Sequence, residues 1–260
     1  MSSAPGAPLG LFTGERAIVT GSASSIGRAI AIELAREGAD VVLADIDEAR
    51  NAETLAAIAS SGGQASALRC DLADPTGWRA VVQAVGAAPV HMFVHSASPP
   101  RHEKDHVRLV DEATFDAMLT ANVRAGFFIA RELGLAMERA RIAGRVLLIT
   151  SLHAERPRNL PHYSAAKGGM RMTVMELARA FAPAGIRVNG LAPGAVPGGG
   201  AKNVTGEFKS RIPMGRVGTP ADMAASAVAL LSNRFTPYVT GTTLSVDGGL
   251  DLYNWIPFVD

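Results

Sequence analysis

Short apolar runs alternate with segments of helical period along nearly the whole chain. Arg16-Ala17-Ile18-Val19-Thr20 reads as a first strand and Val41-Val42-Leu43-Ala44 as a second. Ala65 to Cys70, Val90 to Val94, Arg145 to Ile149, Arg187 to Leu191 and Gly241 to Val246 follow as further strands. Between them, Arg28 to Gly38, Glu48 to Ser61, Trp78 to Val85, Glu112 to about Ala140, Tyr163 to Phe181 and Ala221 to Leu231 carry helix patterning. Continuous apolar runs suit strands buried on both faces, and strand–helix alternation implies parallel pairing. The expected fold is a single α/β domain: a doubly wound parallel sheet of about seven strands with helices on both faces. The Glu112 tract is expected to bend or break near Gly126, His95-Ser96-Ala97-Ser98-Pro99-Pro100 to break the fourth strand, and the Gly/Pro-rich stretch from Pro193 to Gly206 to be irregular.

A composition of 48% hydrophobic and 19% charged residues supports a core of that size. A formal net charge of +1 gives no basic field for nucleic acid. One cysteine, Cys70, rules out an intramolecular disulfide framework, and the six histidines show no metal-ligand spacing, so no metal is expected. No apolar run reaches the roughly 18–20 residues of a membrane span. Residues 1–10 read as a flexible tail without the features of a signal peptide, which makes the cytoplasm the expected location. Residues 11–249 form the expected domain. Residues 250–260 are an apolar, aromatic tail with Leu252, Tyr253, Trp255, Ile256 and Phe258.

Two stretches carry chemistry. The first strand–helix turn, Gly21-Ser22-Ala23-Ser24-Ser25-Ile26-Gly27, is built of small residues, which lets backbone N–H groups and a helix N-terminus meet a pyrophosphate. Asp45, ending the second strand, suits the adenosine ribose hydroxyls. Read without a ligand, the same loop is a plain strand–turn–helix. The second stretch opens at Ser151, after the fifth strand, and reaches Tyr163 and Lys167 on one face of a helix, four residues apart. An ammonium beside a phenol favours the phenolate, which can exchange a proton with an alcohol or carbonyl oxygen. Ser151 can hydrogen-bond that oxygen.

Together these stretches resemble the short-chain dehydrogenase/reductase family, from about Leu11 to Gly249. The matching segments are Thr20-Gly21-x-x-x-Ser25-Ile26-Gly27, Asp45, Asp71-Leu72, Asn122-Val123, Ser151, Tyr163-x-x-x-Lys167, Pro193-Gly194 and Val246-Asp247-Gly248-Gly249. Ser151-Leu152-His153 and His162-Tyr163-Ser164-Ala165-Ala166-Lys167-Gly168-Gly169-Met170 are similar to the sugar (glucose) 1-dehydrogenase branch. The resemblance implies a Rossmann-type fold and an oxidoreductase that interconverts a secondary alcohol (a sugar, polyol or hydroxy acid) and its carbonyl. It implies Tyr163 as general acid/base, Lys167 as its partner and a ligand of the nicotinamide ribose, Ser151 as the group orienting substrate, and Asn122 as the holder of a relay water. The cofactor would be held by Gly21, Ser24, Ser25, Ile26, Gly27, Asp45, Asp71, Leu72, His95, Ser96, Ala97, Tyr163, Lys167, Pro193, Gly194 and Val196. A carboxylate at Asp45, with no cation from Ser22 to Ser25, favours NAD(H) over NADP(H).

Three positions depart from the family pattern. Ser25 replaces a middle glycine, His95-Ser96-Ala97-Ser98 stands for Asn-Asn-Ala-Gly, and Pro197 sits where a threonine is usual. The family's assemblies imply a homo-oligomer, a tetramer or dimer, with the C-terminal tail at the interface. Arg101, His102, Lys104, His106, Arg108, Arg156 and Arg158 line the loops expected around a small-molecule substrate, and Gly198-Gly199-Gly200 reads as a mobile lid. A non-catalytic nucleotide sensor or scaffold on the same fold is the alternative.

Overall fold

The computed structural model describes residues 7–86, 88–102, 104–197 and 210–252. The expected lid glycines, and all of the apolar C-terminal tail beyond Leu252, lie outside the described residues. Seven strands form one sheet: β1 Arg16–Thr20, β2 Asp40–Asp45, β3 Gln64–Arg69, β4 Met92–His95, β5 Arg145–Ile149, β6 Arg187–Pro193 and β7 Thr243–Val246. Their spatial order is β3-β2-β1-β4-β5-β6-β7 and every pairing is parallel. The order reverses between β1 and β4, so a crevice opens at the C-terminal ends of those strands, where ligands of such sheets bind.

Helices cover both faces. They are α1 Ser25–Arg36, α2 Glu48–Ser60, α3 Trp78–Val85, α4 Glu112–Leu119, α5 Ala125–Arg139, α6 Pro161–Phe181 and α7 Pro220–Leu231. Successive strand residues point to opposite faces. Ile18, Phe93, Val146 and Val188 pack with Ile129, Leu133, Val174 and Phe181 on one side. Ala17, Val19, Leu43, Val94 and Leu147 pack with Ile30, Leu34, Met223 and Leu231 on the other. That double burial is why the central strands β2, β4 and β5 read as apolar runs, whereas the edge strands β3 and β7 are largely exposed.

Several boundaries differ from expectation. The interruption expected near Gly126 is a single wide π-turn, Thr120–Arg124, that separates α4 from α5. Gly126 answers a different need, since a Cβ there would lie 2.8 Å from the His95 ring. His95 does not break β4 but ends it, fully buried, in register with Thr20 of β1. Pro193 is the last residue of β6, not part of an irregular stretch. Helix α6 starts at Pro161, two residues before Tyr163, because proline suits the first turn of a helix. Within the expected flexible tail, the Leu9 N–H donates to the Glu37 carboxylate at 2.9 Å, so the described part of that segment is held against the end of α1.

At the sheet's other edge two buried arginines fasten α7. Arg145 Nε donates to Leu231 O at 2.9 Å and its guanidinium pairs with Glu15. Arg187 donates to Leu230 O at 2.8 Å and to Leu231 O at 3.3 Å, satisfying the carbonyls a helix C-terminus leaves open. Burial, then the charge of Arg145, pushes the Arg187 guanidinium down to about 10. Arg187→Met should cost about 2–3 kcal/mol, as expected for charged hydrogen bonds lost from a buried helix end. Urea unfolding would show a lower midpoint at unchanged slope; an unchanged midpoint would contradict this role.

Candidate active site

Strand ends β1, β2, β4, β5 and β6 deliver Thr20, Asp45, His95, Ile149 and Pro193 to one edge. The glycine loop is shaped by close approach. Gly21 has φ +71°, and a Cβ there would lie 2.7 Å from Ala97 N; one on Gly27 would lie 2.0 Å from Gly21 O. Helix α2 props the loop from below. Ser22 Oγ donates to Asn51 Oδ1 at 2.8 Å, Asn51 Nδ2 to Leu43 O at 2.9 Å, and Thr54 Oγ1 to Ser22 O at 3.0 Å. Asn51 and Thr54 were not among the expected site residues. Their signal in the sequence is polarity at buried helix positions three apart, shared with Ile58.

Asp45, the last residue of β2, accepts from Ala23 N at 2.9 Å and from Asp47 N at 3.0 Å, so its carboxylate holds the loop. Ser24 is exposed at the start of α1, and the first turn of that helix carries no acidic residue. Bare N–H groups at a helix N-terminus, beside a turn too tight for a Cβ, fit the pyrophosphate of a dinucleotide. Ser25 adopts φ +46°, a left-handed conformation in which glycine would be relaxed, and its hydroxyl donates to Pro197 O at 3.2 Å. Arg28, Arg50 and Arg69 each pair with an acid: Glu53, Asp47 and Glu48. Asp71 Oδ1 accepts from Ala73 N at 2.9 Å, and Leu72 and Val196 are buried. A Cβ at Gly194 would lie 2.6 Å from the Asp247 side chain. Ser96 N donates to Thr20 O at 3.2 Å, placing Ser96 and Ala97 against Gly21.

His95, expected among the cofactor ligands, has its ring turned into the core instead. Nε2 lies 3.0 Å from Ala121 O and 3.1 Å from Asn122 O, while Nδ1 lies 2.9 Å from Thr20 Oγ1. Carbonyls only accept, so Nε2 carries the proton and Nδ1 accepts from Thr20. The ring therefore satisfies carbonyls at the π-turn. Burial, then the charge of Lys167, pushes the imidazole down to about 4.

That π-turn carries Asn122. Its Nδ2 donates to Met118 O at 2.9 Å and Ser98 Oγ at 3.2 Å, while its buried Oδ1 has no partner among the described residues. An unsatisfied buried acceptor is a place for a water. Lys167, on α6, is buried; its Nζ donates to Ile149 O at 2.8 Å and stands 5.5 Å from the centre of the Tyr163 ring. Burial, then the charge of Arg101, pushes this ammonium down to about 7. Two residues beyond Ile149, Ser151 Oγ accepts from His153 N at 3.2 Å, and the His153 ring meets Tyr163 edge-on at 5.7 Å. Arg101 lies over the Tyr163 ring at 4.4 Å. Among the remaining loop cations, Arg156 pairs with Asp251. Among the described residues no cluster of potential metal ligands occurs, and no helix is long and apolar enough to cross a membrane.

The chain is similar to known proteins. A family model described as enoyl-(acyl carrier protein) reductase matches residues 21–251. Glucose 1-dehydrogenase 2 of Bacillus subtilis is 35% identical, over 93% of this chain and 96% of its own. Galactitol 2-dehydrogenase (L-tagatose-forming) of Cereibacter sphaeroides is also 35% identical, over 92% and 96%. Among solved structures, a candidate NAD(P)-dependent gluconate 5-dehydrogenase from Beutenbergia cavernae, with NADP bound at low occupancy, superposes with a TM-score of 0.85. It is 34% identical, over 92% of this chain and 97% of that one.

The buried imidazole makes a pH prediction. Its folded value, about 4, lies below the ordinary 6.5, so the unfolded chain binds the extra proton between those limits. Its contribution to stability is full above pH 6.5, falls as pH drops toward 4, and stays lost below. His95→Asn should flatten this part of the stability profile in urea titrations across pH 4–7. A variant profile parallel to wild type would contradict the assignment.

Proposed function

The chain belongs to the short-chain dehydrogenase/reductase family, and we propose that it is an NAD(H)-dependent oxidoreductase interconverting a secondary alcohol and its carbonyl. The observation that carries this reading is the buried Lys167 beneath Tyr163, at the edge where the glycine loop and α1 open. The bound dinucleotide would supply hydride transfer at its nicotinamide ring. Gly21, Ser24, Ser25, Ile26 and Gly27 would hold its pyrophosphate, and Asp45 its adenosine ribose. Asp71 and Leu72 would flank the adenine, and Ser96, Ala97, Pro193, Gly194 and Val196 would line the groove.

In this reading Tyr163 moves the proton. During oxidation its phenolate takes the substrate hydroxyl proton; during reduction the phenol returns it. Ser151 holds the reacting oxygen in line. Lys167 stabilises the phenolate by charge, and the open Oδ1 of Asn122 anchors a water that passes the proton toward solvent. The carboxylate of Asp45 repels a 2′-phosphate, and Arg28, Arg50 and Arg69 each pair with an acid, which supports NAD(H). The NADP held by the Beutenbergia relative belongs to that protein. The left-handed Ser25 is the observation that favours the second reading, a non-catalytic nucleotide binder.

One set of assays separates these readings: reduction of NAD⁺ and NADP⁺ across sugars, polyols, hydroxy acids and secondary alcohols. NAD⁺ should be preferred. Tyr163→Phe should lower kcat/KM by about 10²–10⁴, the usual weight of a positioned acid/base. Asp45→Asn, which keeps an oxygen for the Ala23 N–H, should narrow the cofactor preference. A clear wild-type preference for NADP⁺ would overturn the role of Asp45. Turnover unchanged by Tyr163→Phe would overturn the mechanism.

A further inference from the structure

The cations around Tyr163 are not equivalent. Arg156 is engaged by Asp251 at 2.8 Å and Arg171 by Glu155 at 2.8 Å. Lys167 is held by the Ile149 carbonyl. Arg101 differs: its guanidinium lies over the Tyr163 ring, 4.4 Å from the centroid, and among the described residues no carboxylate pairs with it. An aromatic face attracts a cation but does not neutralise it, and it offers no acceptor in the plane of the guanidinium N–H groups. A planar fork of donors next to a reacting oxygen matches one partner best, a carboxylate bound through two parallel hydrogen bonds.

Position decides which molecule brings that carboxylate. Arg101 leaves the end of β4 and meets Tyr163, where the substrate oxygen must lie. The acid that faces the adenosine end, Asp45, ends β2 on the far side of β1. A cofactor phosphate at the adenosine ribose is therefore the wrong partner. Charge points the same way, because Arg101 and Lys167 both approach one phenol and the charge of Arg101 disfavours the positive form of Lys167.

Resting on the oxidoreductase reading above, we infer that Arg101 determines specificity by binding a substrate carboxylate, so that the alcohol taken by this site is a hydroxy acid of the sugar-acid type. A neutral polyol leaves the guanidinium without its partner. The contact is made before and during reaction alike, so it acts on binding and adds no chemical step. Removing it should raise the KM of the acid alone, separate from any kcat change that acids and neutral alcohols share.

The test is steady-state kinetics on acids paired with their neutral counterparts: D-gluconate with D-glucitol, D-galactonate with galactitol, and 3-hydroxybutyrate with 1,3-butanediol. Wild type, Arg101→Gln and Arg101→Lys are each run with NAD⁺ and NADP⁺, and NADH affinity is followed by fluorescence. The best acid should exceed its neutral counterpart in kcat/KM by about tenfold or more. Arg101→Gln should raise the KM of that acid by about 10- to 100-fold, the scale of a charged, bidentate contact. The KM of neutral alcohols and NADH affinity should change little, any change in kcat from the lost charge beside Lys167 should be shared by both substrate classes, and Arg101→Lys should recover part of the KM loss. Preference for neutral alcohols, equal losses for both classes, or a loss in NADH affinity would each overturn the assignment of Arg101. Turnover of no compound at all would overturn the oxidoreductase reading, and this inference with it.

Discussion

Desolvation is the constraint on which the site depends. The interior behind the strand ends admits little charge, yet Lys167 must place an ammonium there, with one close carbonyl partner, Ile149 O. Burial answers by lowering the affinity of the amine for its proton to the neighbourhood of neutral pH. The same environment keeps His95 neutral, with the charge of Lys167 as the second cause. The two groups divide the work: one holds exchangeable charge, the other stays uncharged and serves as a fixed donor and acceptor.

His95 shows how much architecture such a neutral ring can organise. Through Thr20 it touches β1, as the end of β4 it is part of the sheet, and through Ala121 and Asn122 it grips the π-turn between α4 and α5. Gly126 gives the ring room. A π-turn widens the helix and frees carbonyls; the imidazole takes those that face the sheet, while the Asn122 side chain bonds back to Met118 O. The outcome is an asparagine held both by its backbone and by its own amide N–H bonds, with one buried oxygen left over for a water.

The sheet was legible in the sequence because parallel strands covered on both faces must be apolar throughout, as Val41-Val42-Leu43-Ala44 and Val146-Leu147-Leu148-Ile149 are. Tyr163 and Lys167 were legible because helix geometry alone brings positions four apart together. What escaped was set by tertiary contact. Hydropathy carries no mark of a π-turn, so the sequence shows an interruption near Gly126 but not its form or its centre at Asn122. His95 reads as a polar break, and only its register opposite Thr20 shows it to be a buried brace. Arg101 was one cation among several in charged loops until its position over the Tyr163 ring separated it from the rest. Ser25 could be read as a departure from glycine, but not as a residue in a left-handed conformation.

The central claim is that burial tunes Lys167, beneath Tyr163, to exchange protons near neutral pH. A pH titration of ¹⁵N-lysine-labelled protein by NMR reads this most directly, since the chain has only Lys104, Lys167, Lys202 and Lys209 to distinguish. One side-chain resonance should titrate near 7, vanish in Lys167→Met, and move upward when Arg101→Gln removes the neighbouring charge. Four resonances all titrating at the ordinary value for lysine, about 10.4, would contradict the account.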